Sequence, residues 1–362
     1  MFASEFQSEA IQQVRKKSVS SRLSRNKKKH KLFDSRLIDT CGQLLKSRVD
    51  KVTFPGGDSR KSCRLVLKNG RSVIATFRSV PARAKLECNV LRQIGSTVQG
   101  RVPRLIESDD GCLLIQEYLP GIRLSQALHD QQKSTIEPLL DDALRGLADI
   151  QQAGSRSGFD KVVGRIGNNG EWIEGLLDRP AVIGGFLKIK APRPHLNQLF
   201  RLLKVTNPRF IKWDARPGNA MVSEKGRVAW FDWEHCGSRN RLDDVAWLLC
   251  DEFVPDLPEL EASLIDRHIS RFSDGFDIDQ GREYLTAIGV FHSCVRLGLI
   301  LSYKKDSSWW DYDTCLEGDK AGITMELAQR LCLRAGRWAK QSPLTIALSP
   351  WFFDIAEKME EI

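Results

Sequence analysis

The chain has 362 residues, 41% of them hydrophobic and 28% charged, with a formal net charge of +9. This is an ordinary composition for a folded globular protein, and the length calls for two or three core-forming units. No uninterrupted apolar run approaches the ~18 residues of a membrane helix, and the opening "MFASEFQSEA" holds no apolar signal segment, which points to the cytoplasm rather than to export.

Nine cysteines occur without a CxxC pair. An odd, scattered set argues for reduced thiols and against a disulfide framework. Neither a zinc-type cluster nor an internal repeat is present. The charge is uneven: residues 1–104 carry 24 Lys+Arg against 7 Asp+Glu, a net of +17, and the remainder carries 31 against 39, a net of −8. Two lobes with different partners are expected.

In chain order, residues 1–35 form a basic arm, in which "RKKSVSSRLSRNKKKHK" (15–31) has nine basic residues and no acid. It reads as a solvated arm, or as one drawn to an anionic membrane surface at the inner face of the membrane. No aromatic residue is interleaved with the charges, so nucleic acid is not indicated as a partner. From Val49 the pattern turns β-like. "FPGGDSRKS" (54–62) is a glycine turn with hydroxyls, in which Gly57 and Ser59 are candidate phosphate contacts, although a P-loop pattern is absent. "CRLVLKNGRSVIATFRS" (63–79) has two alternating apolar runs around Asn69-Gly70, a hairpin signal. "ARAKLECNVLRQIG" (82–95) has helical spacing with Gly95 as its stop. "CLLIQEYLPG" (112–121) is a strand ending at a Pro-Gly break.

After the break, residues 135–154 read as an amphipathic helix and residues 155–205, with Pro180, Pro192 and Pro194, as loop-rich. Four helices are expected beyond residue 240. One of them contains "AIGVFHSCVRLGLILSY" (287–303), which His292, Ser293 and Arg296 mark as a core helix. Trp309-Trp310 reads as a packed loop. These elements predict an α+β, bilobal chain: a β-rich lobe over 36–120, nucleotide-binding on the resemblance given below, and a larger helical lobe over 121–362.

The stretch "IKWDARPGNAMVSEKGRVAWFDWEH" (211–235) carries the chemistry. "NAMV" and "RVAWFD" are short apolar runs joined by Ser223-Glu224-Lys225-Gly226. If they pair with the turn centred near 225, Asn219 and Asp232 meet across the strands with Cα atoms about 4.5–5.5 Å apart. An amide oxygen beside a carboxylate is a hard-oxygen site suited to Mg²⁺. Asp214, on a loop held by Pro217-Gly218, would enter the same cleft. Such a set suits phosphoryl transfer, which rests on metal charge, positioning and a carboxylate to accept the proton of the attacking hydroxyl.

"WDARPGN...WFDWEHCGSRNRLDDVA" resembles the aminoglycoside phosphotransferase / choline kinase family, a small-molecule branch of the protein-kinase-like fold, over roughly residues 50–250. The family pattern is H-G-D-x-x-P-G-N, then I-D-W-E, then D-L-A. The resemblance implies Asp214 as catalytic base, Asn219 and Asp232 as metal ligands, and Asp244 at the D-L-A position as a brace for the catalytic loop. "LECNVLRQI" resembles the family's E-x-x-x-L-R helix and makes Glu87 the partner of a strand cation, best matched by Arg78. "LIQEYLPG" resembles the hinge that passes adenine and implies backbone contacts from Glu117 and Leu119. Gln151 stands where the family has His, and Lys212-Trp213 where it has His-Gly. Arg60, Lys61 and Lys68 remain rival phosphate contacts.

The implied function is an ATP- and Mg²⁺-dependent kinase acting on a hydroxyl of a sugar, aminoglycoside or amino alcohol. The acidic back half would suit a cationic acceptor. The basic front half would suit an anionic one at a membrane, such as a lipopolysaccharide core sugar. A pseudokinase and a protein Ser/Thr kinase are the alternatives. The sequence leaves the oligomeric state open.

Overall fold

The computed structural model describes residues 35–55, 61–273, 277–304, 308–318 and 321–361. The basic arm, Gly57, Ser59 and Arg60 lie outside the described residues.

The first lobe is an antiparallel sheet of β1 (Val49–Thr53), β2 (Ser62–Leu67), β3 (Ser72–Phe77), β4 (Leu105–Ser108) and β5 (Leu113–Glu117), in the order β1-β2-β3-β5-β4. Helices α1 (Ser35–Leu44) and α2 (Pro81–Thr97) accompany it. The alternation in β2 and β3 works as expected. Cys63 lies opposite Ala75, and Ala75 opposite Ile115, so one fully buried row crosses three strands. Burying such aliphatic side chains contributes about 1.5–3 kcal/mol each for the larger ones.

The Asn69-Gly70 hairpin forms with a loop of three residues. Leu67 N–H donates to the Arg71 carbonyl, and Gly70 takes the left-handed φ of 81° that this loop needs. β4 was not expected from the sequence. Its four residues have no alternation, because it is a bulged edge strand with a register shift between Leu105 and Glu107. Gly95 does not stop α2, which runs on to Thr97. The glycine serves close approach instead, since a Cβ there would lie 2.9 Å from the Pro103 carbonyl oxygen.

The second lobe starts at Gly121, which has φ 143° and whose added Cβ would sit 2.0 Å from the Val222 carbonyl oxygen. That contact lets β6 (Ile122–Arg123) pair with β8 (Ala220–Val222), which in turn pairs with β9 (Val228–Trp230). Helix α3 (Leu124–Ala127) and the long α4 (Lys133–Arg156) follow. Residues 155–205 are not loop-rich. They hold α5 (Phe159–Val162), α6 (Gly170–Leu177), α7 (Arg179–Leu187) and α8 (Leu196–Leu203). Pro180 lies in the first turn of α7, where its missing N–H costs nothing, and Pro192 and Pro194 fall between α7 and α8. The prolines therefore punctuate short helices.

β7 (Arg209–Ile211) pairs with β10 (Gly237–Arg239) beneath the hairpin. Then come α9 (Leu242–Leu249), α10 (Pro258–Phe272), α11 (Ile278–Lys304), α12 (Tyr312–Glu317), α13 (Met325–Ala339) and α14 (Leu348–Glu357). α11 is long and apolar enough to cross a membrane, but its most apolar window is 78% buried inside the protein, as a core helix should be. Trp309 and Trp310 pack against the core. The nine cysteines are all free thiols.

Gly121→Ala should lower stability by at least about 2 kcal/mol, since it adds both backbone strain and a clash with a carbonyl. Denaturant unfolding at matched pH measures it, and an unchanged midpoint would contradict the close approach.

Candidate active site

The loop carrying Asp214 leaves β7 through two consecutive non-glycine residues in the left-handed region, Trp213 (φ 51°) and Asp214 (φ 53°). Such a conformation costs on the order of 1 kcal/mol or more per residue and persists only where surrounding bonds impose it. Asp244, fully buried in the first turn of α9, imposes it. Its Oδ2 accepts the Lys212 N–H and the Gln151 amide, both at 2.8 Å, and its Oδ1 accepts the Trp213 N–H at 2.8 Å. Burial raises the Asp244 carboxyl above its ordinary range, against these donors. Gln151, where the family pattern has histidine, thus supplies a bracing donor.

The 3₁₀ turn Pro217–Asn219 returns the chain to the base. Asn219 Nδ2 donates to Asp214 Oδ2 at 2.8 Å and to the Asp214 carbonyl at 3.0 Å. The hairpin register differs from the expectation by one residue. Ala220 faces Trp230, and Phe231 N–H donates to the Asn219 carbonyl at 3.0 Å, so Asn219 lies opposite Phe231. Asp232 is one residue further on, with φ 62°, where the chain has left the strand.

Arg78, just past β3, ties this loop to the first lobe. Its Nε donates to Glu87 at 2.7 Å, Nη1 to Glu234 at 2.8 Å and Nη2 to Asp232 Oδ1 at 2.6 Å. Glu87 is fully buried on α2 and also accepts the Trp233 N–H at 3.3 Å. Burial pushes the Asp232 carboxyl up, but Arg78, Lys212 and His235 outweigh it and hold the group down at about 2. Burial pushes Glu87 upward, opposed by Arg78. Burial works to lower the Arg78 pKa, but the charges of Asp232 and Glu87 dominate and raise it.

Sequence reasoning missed two participants. Lys212, fully buried, donates Nζ to the Asp232 carbonyl at 3.0 Å and reaches the Asp214 carbonyl at 3.5 Å, with the Trp233 ring 5.2 Å away. It links the Asp214 loop to the Asp232 segment. The signal was its position two residues before Asp214, a place where an unpaired surface lysine would be out of keeping. Glu234 joins the Arg78 clasp and lies 3.7 Å from Arg83. Lys61 bonds Ser79 at 3.0 Å, one residue past Arg78, whereas Lys68 sits at the exposed tip of the β2–β3 hairpin. Glu117 ends β5, but its N–H is taken by the Arg104 carbonyl at 2.9 Å, which leaves only its carbonyl for a ligand. Leu119 is half-buried just beyond it.

The donors fit Mg²⁺ of one kind. No group of three or more His, Cys, Asp or Glu able to hold a metal occurs among the described residues. Asn219 commits its Nδ2 to Asp214 and leaves Oδ1, and Asp232 adds an ionised carboxylate. One amide and one carboxylate oxygen make too small a set for an all-protein cage. They suit an ion that keeps waters and takes its other ligands from substrate phosphates.

A β-sheet lobe and a helical lobe joined at a cleft that holds an aspartate loop and a polar hairpin define a bilobal, kinase-like phosphotransferase acting with ATP on a hydroxyl. The model of the APH family, described as a phosphotransferase enzyme family, matches residues 52–284, and the chain belongs to that family. Among solved structures, a protein from Ralstonia eutropha JMP134 assigned as an aminoglycoside phosphotransferase is 17% identical, with TM-score 0.53 over 83% of this chain and 98% of its own. ADP-bound aminoglycoside phosphotransferase APH(2'')-Ib is 13% identical, with TM-score 0.50 over 83% and 99%. These likenesses show the fold. No curated protein matches the chain.

Asp244→Ala would orphan two backbone N–H groups and one side-chain amide in a buried site. At about 1–3 kcal/mol for each unsatisfied group, it should cost roughly 3 kcal/mol or more in denaturant unfolding. A loss under about 1 kcal/mol would show that the loop does not depend on this brace.

Proposed function

We propose that the chain transfers the γ-phosphoryl group of ATP to a hydroxyl of a small sugar, aminoglycoside or amino alcohol, a lipopolysaccharide core sugar included, with Mg²⁺ as cofactor. The observation that carries the reading is the pairing of Asp214 with Asn219 on a braced loop, beside Asp232 in the Arg78 clasp. In this reading Asp214 accepts the hydroxyl proton as the acceptor oxygen bonds to phosphorus and the bond to the leaving ADP oxygen breaks. Asn219 holds the Asp214 carboxylate by one oxygen and leaves the other for the proton. Asn219 Oδ1 and Asp232 would hold the metal, whose charge offsets that of the phosphates. Arg78, oriented by Glu87, would order the phosphates, and Lys212 keeps the two loops at a fixed spacing.

The structure also bears on the protein-kinase alternative. Helix α9 begins at Leu242, ten residues after Asp232, which leaves no room for a peptide-binding activation segment.

Asp214→Asn keeps the shape and loses the proton acceptor. Its kcat should fall by about 10²–10⁴-fold with nucleotide affinity retained, measured with an acceptor found by screening pooled alcohols and saccharides. Wild-type turnover in this variant would sink the base assignment. Asp232→Ala should lose Mg²⁺-dependent ATP binding in calorimetry while unfolding as the wild type does. Unchanged affinity there would remove Asp232 from the metal.

A further inference from the structure

Beside the loop that carries Asp214 lies a cavity of about 480 Å³, within the size range of small-molecule sites. Its wall is aromatic. Trp172 and Trp213 meet at 6.2 Å between ring centroids, Trp213 and Trp247 at 5.3 Å edge to face, and Trp247 and His292 at 4.3 Å. Ile288 and Val295, one turn before and one turn after His292 on α11, line it as well. The cavity adjoins the chemistry directly, because Trp213 precedes Asp214 in the chain. In addition Arg296, next to Val295, feels the Asp214 charge.

Two features of this wall describe its occupant. First, its carboxylates are already neutralised. Asp243 is paired with Arg239 at 2.8 Å and accepts from Tyr284 at 2.8 Å, and Glu234 is held by Arg78 and Arg83. The Arg239 guanidinium also covers one face of Trp172, 4.4 Å from its centroid, so that ring already has its cation. A polycation entering here would meet carboxylates that already have arginine partners, together with Arg83 and Arg165, which also line the cavity. Second, His292 is 6% exposed and its Nε2 has no hydrogen-bonding partner among the described residues. Burial holds this imidazole neutral, its pKa pushed down to about 3. A buried, unsatisfied ring nitrogen in an apolar pocket is costly unless a ligand or water completes it.

We propose that the cavity is the acceptor site and takes an uncharged compound with a flat apolar ring, such as an aryl alcohol or aryl glycoside, which stacks against Trp213 and Trp247 and hydrogen-bonds His292 Nε2. The inference rests on the kinase reading above and replaces its sugar, aminoglycoside or amino alcohol acceptor with a hydroxyl borne on such a body. Tryptophan rings set at steep angles give a flat ring one face to stack on and one edge to meet, an arrangement aromatic pairs favour beyond simple burial.

The test uses the full chain, with and without Mg²⁺ and a non-hydrolysable ATP analogue. NMR titration compares 2-naphthylmethanol, 2-methylnaphthalene and kanamycin. The naphthyl alcohol should bind saturably and kanamycin should not displace it. Val295→Trp, which fills the cavity from a half-buried position, should weaken the alcohol at least tenfold. His292→Phe should weaken the alcohol about tenfold and leave 2-methylnaphthalene within twofold. Displacement by kanamycin, no saturable binding of the alcohol, or unchanged affinity in both variants overturns the proposal. Failure of the ATP analogue to bind, with the naphthyl alcohol still bound and sensitive to both variants, defeats the kinase reading and keeps the pocket assignment.

Discussion

One guanidinium holds the two lobes together at their point of chemistry. Arg78 comes from the sheet lobe, Glu87 from the helix packed on it, and Asp232 and Glu234 from the segment that follows the hairpin of the helical lobe. Arginine suits this position because its fork offers several donors in fixed directions, which an ammonium does not. Lys212 and His235 add positive charge beside Asp232. Three carboxylates surround Arg78, with Arg83 at 3.7 Å from one of them. Two unit charges 4 Å apart interact by about 4 kcal/mol at an effective dielectric of 20, so these close opposite-charge pairs hold the two lobes in register. Arg78 thereby holds carboxylates of both lobes in place.

The base loop shows the complementary constraint. Left-handed backbone at Trp213 and Asp214 turns the Asp214 side chain out of the β7 line, and the chain adopts it because Asp244 takes both preceding amide protons. Lys212, which stands where the family pattern has histidine, supports the loop through its carbonyls. Its ammonium sits beneath the loop on the carbonyls of Asp232 and Asp214, against the Trp230 and Trp233 rings. Burial lowers its pKa, while Asp214, Asp232 and Asp244 act to keep it charged. A buried ammonium is tolerated where carboxylates and carbonyls surround it, and here that arrangement couples the spacing of the two loops.

Much of this was legible in the sequence, for local reasons. Alternating apolar residues around Asn69-Gly70 and the spacing of Asp214, Asn219 and Asp232 are short-range signals, and each sits where that signal placed it, within one residue of register. The register slipped because a turn centre counted from sequence takes no account of Asp232 leaving the strand at φ 62°. β4 and the short helices of 155–205 were missed because elements of four to nine residues at an edge, or bounded by prolines, are decided by tertiary packing rather than by periodicity. Lys212 and Glu234 were invisible as partners because their contacts reach across the fold to residues 20 and 156 positions away.

Charge is where counting along the chain misleads most. The −8 of residues 105–362 suggested a site for cations, yet several acids of that half are committed to cations of the same chain. Asp141 holds Arg145, Arg267 and His268, Glu252 holds Arg296, Asp243 holds Arg239 and Asp160 holds Arg209. A paired carboxylate contributes little field at a distance, so net charge governs solubility and long-range steering while a pocket's preference follows from which groups remain unpaired. Beside Asp214 the carboxylates have arginine partners, and the lining atoms left without a hydrogen bond among the described residues include His292 Nε2, a neutral imidazole nitrogen among indole rings, and Asp243 Oδ2, which keeps its ion pair with Arg239. Local hydrogen-bond accounting and the sign of the net charge therefore point to different acceptors, and the former acts at contact distance, where a hydroxyl must be held for transfer.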